Sequence, residues 1–137
     1  DLFAGTGVLG LEAASRGAES VVLIEKSARA ARSIQESISL LSPGGADGLS
    51  LINDDALAWL SECGPGALDI VFIDPPFGSG LAGRALDELV RRDCLSSGGL
   101  AYLETARDDP AAGLAKGWQI VKEKALGEVR MQLLKKT

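Results

Sequence analysis

Apolar positions along this chain alternate between two rhythms. Ser20 to Glu25 (SVVLIE) is short, continuously apolar and β-branched, and ends on an acid, as expected of a strand buried on both faces of a parallel sheet. Ala28, Ala31, Ile34, Ile38 and Leu41 then recur at helical spacing, and Pro43-Gly44-Gly45 stops that helix. Leu49 to Asn53 predicts the next strand, and Ala56 to Cys63 a short helix closed by Gly64-Pro65-Gly66. Leu68 to Ile73 (LDIVFI) predicts a second fully buried strand, cut off by Asp74-Pro75-Pro76. Leu81, Ala85 and Leu89 mark another helix, Gly98-Gly99 a break, and Leu100 to Glu104 a further strand. After a polar stretch from Arg107 to Pro110, segments 118–124 and 128–134 predict two strands joined around Gly127.

Repeated strand–helix units with short connections predict an α/β fold, Rossmann-like and doubly wound, with helices on both faces of a mostly parallel sheet. The two closing strands predict a C-terminal antiparallel hairpin. Asp1-Leu2-Phe3 reads as the tail of the first, central strand, which brings the expected sheet to seven strands. Three residues are too few to hold the middle of a sheet. The expectation is therefore one domain over residues 1–137 whose first strand is truncated and whose N-terminal segment is missing.

Bulk properties narrow the class. The chain has 137 residues, 46% of them hydrophobic, enough for a single core with two flanking layers. No apolar run approaches the roughly 20 residues that span a bilayer, and no basic segment leads into a signal-peptide core. A cytoplasmic protein is expected. Cys63 and Cys94 stand alone, outside any CxxC or Cys/His cluster, and predict two small buried thiols in a reduced chain. The sequence has no histidine. That excludes a Ser-His-Asp triad, a Cys-His pair and a histidine-based metal site, and no metal is expected.

The net charge of −5 sits awkwardly with nucleic-acid binding, which usually needs a basic face. Lys122, Lys124, Arg130, Lys135 and Lys136 make the C-terminal end basic, and Arg84, Arg91 and Arg92 form a second group. Taken alone, these charges read as solvated surface.

Two motifs carry chemistry. In the first, Asp1-Leu2-Phe3-Ala4-Gly5-Thr6-Gly7-Val8-Leu9-Gly10 runs from strand to helix. Glycines there allow positive φ and let a ligand lie against bare main chain at a helix N-terminus. Gly5, Gly7 and Gly10 match GxGxxG, so a structural turn, a dinucleotide site and an S-adenosylmethionine site all remain open. Glu25, at the end of the next strand, could accept from a ribose in either ligand. Asp1 would suit a cofactor with a cationic amino-acid tail better than a pyrophosphate. Asp55, after the third strand, could accept from an adenine amine or cap the following helix.

The second motif, Asp74-Pro75-Pro76-Phe77, follows a buried strand. Parallel sheets place their sites beyond the carboxyl ends of the strands. A donor-poor turn there offers a carboxylate and a backbone carbonyl, two acceptors matching the two hydrogens of an –NH₂ group. A nucleobase amine is a poor nucleophile because its lone pair is delocalised into the ring. Accepting both N–H bonds, with Asp74 and the Pro75 carbonyl, would aim that lone pair at a methyl donor by positioning and electrostatics, without a strong base. Phe77 would stack on the base, and a paired target would have to be flipped out.

DLFAGTG, the acid of VLIEK, NDDA and DPPF resemble the successive motifs of class I S-adenosylmethionine-dependent methyltransferases. The longer stretches DLFAGTGVLGLEAASRGA, IVFIDPPF, AYLE and the closing GEV strand are similar to the RsmD group, over essentially the whole chain. The resemblance implies transfer of a methyl group from S-adenosyl-L-methionine to N2 of a guanine in small-subunit (16S) ribosomal RNA, in a bacterial cytoplasm. It implies a cofactor site of Asp1, Phe3, Gly5, Gly7, Glu25, Lys26, Asp55 and Ala56. Asp74, Pro75 and Phe77 would be catalytic, and Pro76 would join them in holding the target amine. The implied partner is ribosomal RNA within the small subunit, met by a monomer. The resemblance also implies a basic N-terminal segment, expected to be missing before Asp1, whose loss would account for the acidic charge.

Rival readings stay distinct. DPPF-type turns also serve adenine N6 on DNA or RNA, and a protein glutamine is a further target. An NAD-dependent oxidoreductase would leave DPPF unexplained and supplies no evident acid for hydride chemistry. A non-catalytic RNA-binding remnant is the fourth.

Overall fold

The computed structural model describes residues 1–44, 47–112 and 116–137; Gly45, expected to help stop the first long helix, lies outside them. The chain divides into two compact units, Asp1–Ala56 and Leu57–Thr137.

The first unit holds α1 (Val8–Ser15), β1 (Val21–Ile24), α2 (Ala28–Leu41) and β2 (Leu49–Ile52). β1 and β2 pair in parallel, with Val21 opposite Leu49 and Ile24 opposite Ile52. A parallel pair needs a long crossover, and α2 provides it. The Ser27 hydroxyl starts that helix by accepting from the Ala30 N–H at 3.2 Å. Its apolar stripe buries Ala31, Ile34 and Ile38. Ile34 and Ile38 join Ala4, Val21 and Leu23 in one core, with Leu11, Leu49 and Leu51 packed against it.

Residues 1–4 line the other edge of β1. The Asp1 nitrogen donates to the Val22 carbonyl, and the Ile24 N–H to the Asp1 carbonyl, each at 2.9 Å. Asp1 thus brackets Leu23 in the manner of a parallel pair, and Ala4 N–H closes onto the Ile24 carbonyl at 2.9 Å. One bracketing residue does not make a ladder. Among the described residues there are six strands in two sheets, of two and four strands, where seven strands in one sheet were expected.

The second unit follows from α3 (Ala56–Ser61), which begins at the boundary. It contains β3 (Leu68–Ile73), α4 (Leu81–Arg91), β4 (Leu95–Ala106), a 3-10 turn (Pro110–Ala112), β5 (Trp118–Leu126) and β6 (Val129–Lys136). The sheet runs in the order β3-β4-β6-β5. β3 and β4 are parallel, whereas β6 is antiparallel to both of its neighbours. The last strand is therefore inserted between β4 and β5, and is the single reversed strand of the sheet. One sheet face buries Val71, Ile73, Ala101, Leu103 and Leu134, and α4 buries Ala82, Ala85, Leu86 and Leu89.

Two local expectations change. β4 starts at Leu95, not Leu100. Its register with β3 jumps from Leu68↔Leu95 to Ile70↔Leu100, so Gly98, at φ 81°, sits in a bulge rather than in a turn before the strand. β3 is not buried throughout. Ile70 is 58% exposed, and Asp69 faces out to accept from the Ser96 hydroxyl at 2.7 Å. Unforeseen in the sequence, β5 carries an extra residue between Ile120↔Leu134 and Lys122↔Leu133. That bulge reverses the alternation, turning Lys122 and Lys124 away from the buried face and bringing Glu123 onto it. There Glu123 accepts from the side-chain amide of buried Gln132 at 2.6 Å.

Both cysteines are buried and free, as expected. Burial, with Cys63 close by, pushes the Cys94 thiol up to about 12. No helix among the described residues is long and apolar enough to cross a membrane.

Candidate active site

In the first unit, the glycine loop ends where α1 begins. Gly5 and Gly7 adopt φ 57° and 84°, a region that penalises any side chain. A Cβ on Gly7 would also press on Ile34 and Leu11 at 3.3 Å. Gly10 answers a different need. It lies inside α1, where a Cβ would run into Leu23 Cδ2, so its bare backbone lets the helix lie against β1. α1 has no side-chain cap. Instead Asp1 Oδ2 accepts from the Gly10 N–H at 3.1 Å.

The other Asp1 oxygen, Oδ1, is buried and has no partner among the described residues. A buried carboxylate oxygen without a donor is costly and fits an incoming ammonium group. Glu25 is tied on both sides: Oε2 accepts from the Gly5 N–H at 2.7 Å and Oε1 from the Ser27 N–H at 3.1 Å. Each carboxylate oxygen keeps a further lone pair for a ribose hydroxyl. Lys26 Nζ stands 3.7 Å from Asp55 Oδ2. Ala56 is buried and Phe3 half-buried. Six of the eight expected cofactor residues are thus linked around β1, α1 and the loop after β2, through contacts of Asp1, Gly5, Gly7, Glu25, Lys26 and Asp55.

Asn53 had been given no role, yet it fastens that corner. Its amide donates to the Glu25 carbonyl at 2.8 Å and the Lys26 carbonyl at 3.0 Å. An asparagine directly after a strand is the signal that could have found it, since its side chain can satisfy backbone groups of a neighbouring loop.

In the second unit, Asp74-Pro75-Pro76-Phe77 leaves the carboxyl end of β3. Pro75 is buried, while Pro76 and Phe77 face solvent, Phe77 at 52%. Phe77 is therefore no core residue. The Pro76 carbonyl is occupied, accepting from the Ser79 hydroxyl at 2.6 Å and its N–H at 3.3 Å. Among the described residues nothing donates to the Pro75 carbonyl or to the Asp74 carboxylate. Burial, reinforced by Glu104, holds the Asp74 carboxyl above the usual carboxylate range.

The strand beside it contributes two groups that sequence reasoning assigned no role. The parallel register sets Phe72 opposite Tyr102 and Ile73 opposite Leu103. The Phe72 and Tyr102 rings meet edge to face, with centroids 6.0 Å apart. The Tyr102 hydroxyl donates to Glu104 Oε2 at 3.0 Å. Burial, that bond and the charges of Glu104 and Asp74 push the tyrosine up to about 12, so it remains a donor at neutral pH. Of the basic residues, Lys136 pairs with Asp93, Arg91 with Glu88, and Arg92 reaches the Cys63 carbonyl at 3.5 Å. The two ion pairs are surface ties within the fold, and the Arg92 contact is part-buried. Among the described residues no cluster of His, Cys, Asp and Glu suits a metal ion.

A family model described as "Conserved hypothetical protein 95" matches residues 1–135. The chain belongs to this family. Its relatives agree with the RsmD resemblance carried by the motifs. The chain is 32% identical over 133 residues to the ribosomal RNA small subunit methyltransferase D of Escherichia coli, covering 97% of this chain and 65% of that protein. It is 34% identical to the protein of the same name from Haemophilus influenzae, over 97% of this chain and 68% of the relative. The chain thus spans about two thirds of these relatives. A solved Escherichia coli structure aligns with TM-score 0.86 at 32% identity, covering 99% of this chain and 74% of that one. A conserved hypothetical protein of Streptococcus pyogenes aligns with TM-score 0.85 at 30% identity, over 98% and 82%.

Proposed function

We propose that this chain is the catalytic domain of an S-adenosylmethionine-dependent methyltransferase acting on the N2 amine of a guanine in small-subunit ribosomal RNA. The observation that carries this reading is the pair of open acceptors on consecutive residues, the Asp74 carboxylate and the Pro75 carbonyl, at the carboxyl end of a parallel strand. Together they take both hydrogens of an –NH₂ group and leave its lone pair directed away from the turn. When bound, S-adenosylmethionine supplies an electrophilic methyl group. Asp74 then stabilises the positive charge that grows on the nitrogen, and exposed Phe77 offers a face on which the base can stack.

On the cofactor side, Asp1 Oδ1 would receive the ammonium of the amino-acid tail. Gly5 and Gly7 would let the ligand lie against the loop, Glu25 would accept from the ribose, and Asp55 with Ala56 would border the adenine. Phe3 and Lys26 complete the set. An acid at the start of the loop favours this ligand over a dinucleotide, whose pyrophosphate it would repel. The reading carries with it the seven-stranded sheet of class I methyltransferases, with residues 1–3 ending its first strand. It also places a monomeric enzyme in the cytoplasm, on ribosomal RNA of the small subunit.

The test is incubation of the full protein with small ribosomal subunits lacking the modification and S-adenosylmethionine, followed by nucleoside mass spectrometry. N2-methylguanosine is the expected product. N6-methyladenosine alone would refute the guanine assignment, and calorimetric binding of NAD but not S-adenosylhomocysteine would refute the methyltransferase.

A further inference from the structure

Asp74 directly follows the last residue of β3, and Glu104 lies within the neighbouring β4. The parallel register runs through Phe72↔Tyr102 to Ile73↔Leu103, so Asp74 leaves the end of β3 beside Glu104, near enough for the Glu104 charge to act on its carboxyl. Phe72 and Tyr102, two residues earlier, touch edge to face. Glu104 is not loose, because Tyr102 donates to its Oε2 at 3.0 Å. Its Oε1 accepts no hydrogen bond from the described residues. Two carboxylates side by side repel each other unless a neutral group with several donors lies between them.

The edge of a guanine is such a group. It presents the two hydrogens of N2 and, next to them, N1–H. Adenine presents N6 beside a bare N1 lone pair, which a carboxylate would repel. A carboxylate can only accept.

Resting on the amine-methylation reading of the same turn, we infer that Glu104, oriented by Tyr102, accepts the N1–H of the guanine whose N2 amine is held by Asp74 and the Pro75 carbonyl. Glu104 thereby selects guanine over adenine. Tyr102 is a positioning residue, fixing Oε2 so that Oε1 faces the base.

The experiment compares small-subunit RNA carrying guanosine, at the position the wild-type protein methylates, with the same RNA carrying 2-aminopurine riboside there. 2-Aminopurine keeps the N2 amine but has a bare N1. The full wild-type protein is expected to favour guanosine by about 10- to 100-fold in kcat/KM, the range of one well-made base contact. In Glu104→Gln the side-chain amide can donate to a bare N1, and the ratio is expected to fall to within about threefold. Tyr102→Phe should lower it part of the way. Any effect of Glu104 on Asp74 slows both substrates alike, so the ratio isolates the reading of N1. A ratio unchanged in Glu104→Gln would overturn the assignment while leaving guanine methylation standing. Wild-type methylation of adenosine N6 would overturn both.

Discussion

The carboxylate of Glu25 takes the backbone N–H of Gly5, twenty residues earlier, at 2.7 Å. The acid that follows β1 therefore shapes the glycine loop before any ligand arrives, and a single substitution removes both roles. Glu25→Ala is expected to weaken S-adenosylhomocysteine binding by at least about tenfold, read by calorimetry. It should lower unfolding free energy by only about 1 kcal/mol, because the bond is solvent-exposed. Glu25→Gln keeps an acceptor and should fall between.

Gly10 offers a packing test with no ligand. Its missing Cβ is the space that Leu23 occupies, and Leu23 is fully buried. Gly10→Ala, though favourable for helix propensity, should destabilise the protein by about 1–3 kcal/mol in urea titrations, because a packed core resists an added methyl group. A gain in stability would show that α1 can move off β1 freely.

Asp74→Asn should separate chemistry from folding. Methyl transfer is expected to drop at least about 100-fold as one acceptor becomes a donor group, with S-adenosylhomocysteine affinity unchanged. Stability should move the other way. Burial and Glu104 raise the Asp74 pKa in the folded state, so the folded protein holds this proton more tightly than the unfolded chain. The favourable contribution is complete below the ordinary carboxylate range and is lost as pH rises through the raised value. At neutral pH the variant should therefore be more stable than wild type, and the difference should vanish in acid. Thermal melts across pH 3–8 would check both limbs, and equal stability at neutral pH would count against the desolvated carboxylate.

Phe77 is half exposed, so Phe77→Ala should leave unfolding free energy nearly unchanged while raising KM for RNA. A lost base stack of about 1–3 kcal/mol corresponds to roughly 5- to 150-fold. Steady-state kinetics on small-subunit RNA would read it. A large stability loss would return Phe77 to the role of an ordinary core residue.

Where the sequence was legible, the physics was local. α2 and α4 follow from helical periodicity and β1 from its apolar run, and Leu68–Ile73 was bounded correctly by Asp74-Pro75. The errors arose where partners decide. Gly98-Gly99 reads as a stop, but a bulged pairing with β3 absorbs it into β4. The alternation of Lys122, Glu123 and Lys124 gives no hint of which face is inside, because the extra residue at Val121 is visible only against β6. The site divides in the same way. Spacing alone puts Glu25 and Asp74 directly after β1 and β3, and Gly5 and Gly7 just before α1. Asn53, Tyr102 and Glu104 acquire meaning only once β1 and β3 have neighbours.

The insertion of β6 between β4 and β5 has a consequence for biosynthesis. Chains leave the ribosome in order, and domains begin to fold as they emerge. β5 is made before β6 but reaches the sheet only through it. Until residues 129–136 are free, β4 presents an open edge beside the Tyr102–Glu104 pair, and β5 has no strand to join. This sheet can close only after residues 129–136 have emerged, and a pause in translation before residue 129 would prolong the exposure of the β4 edge.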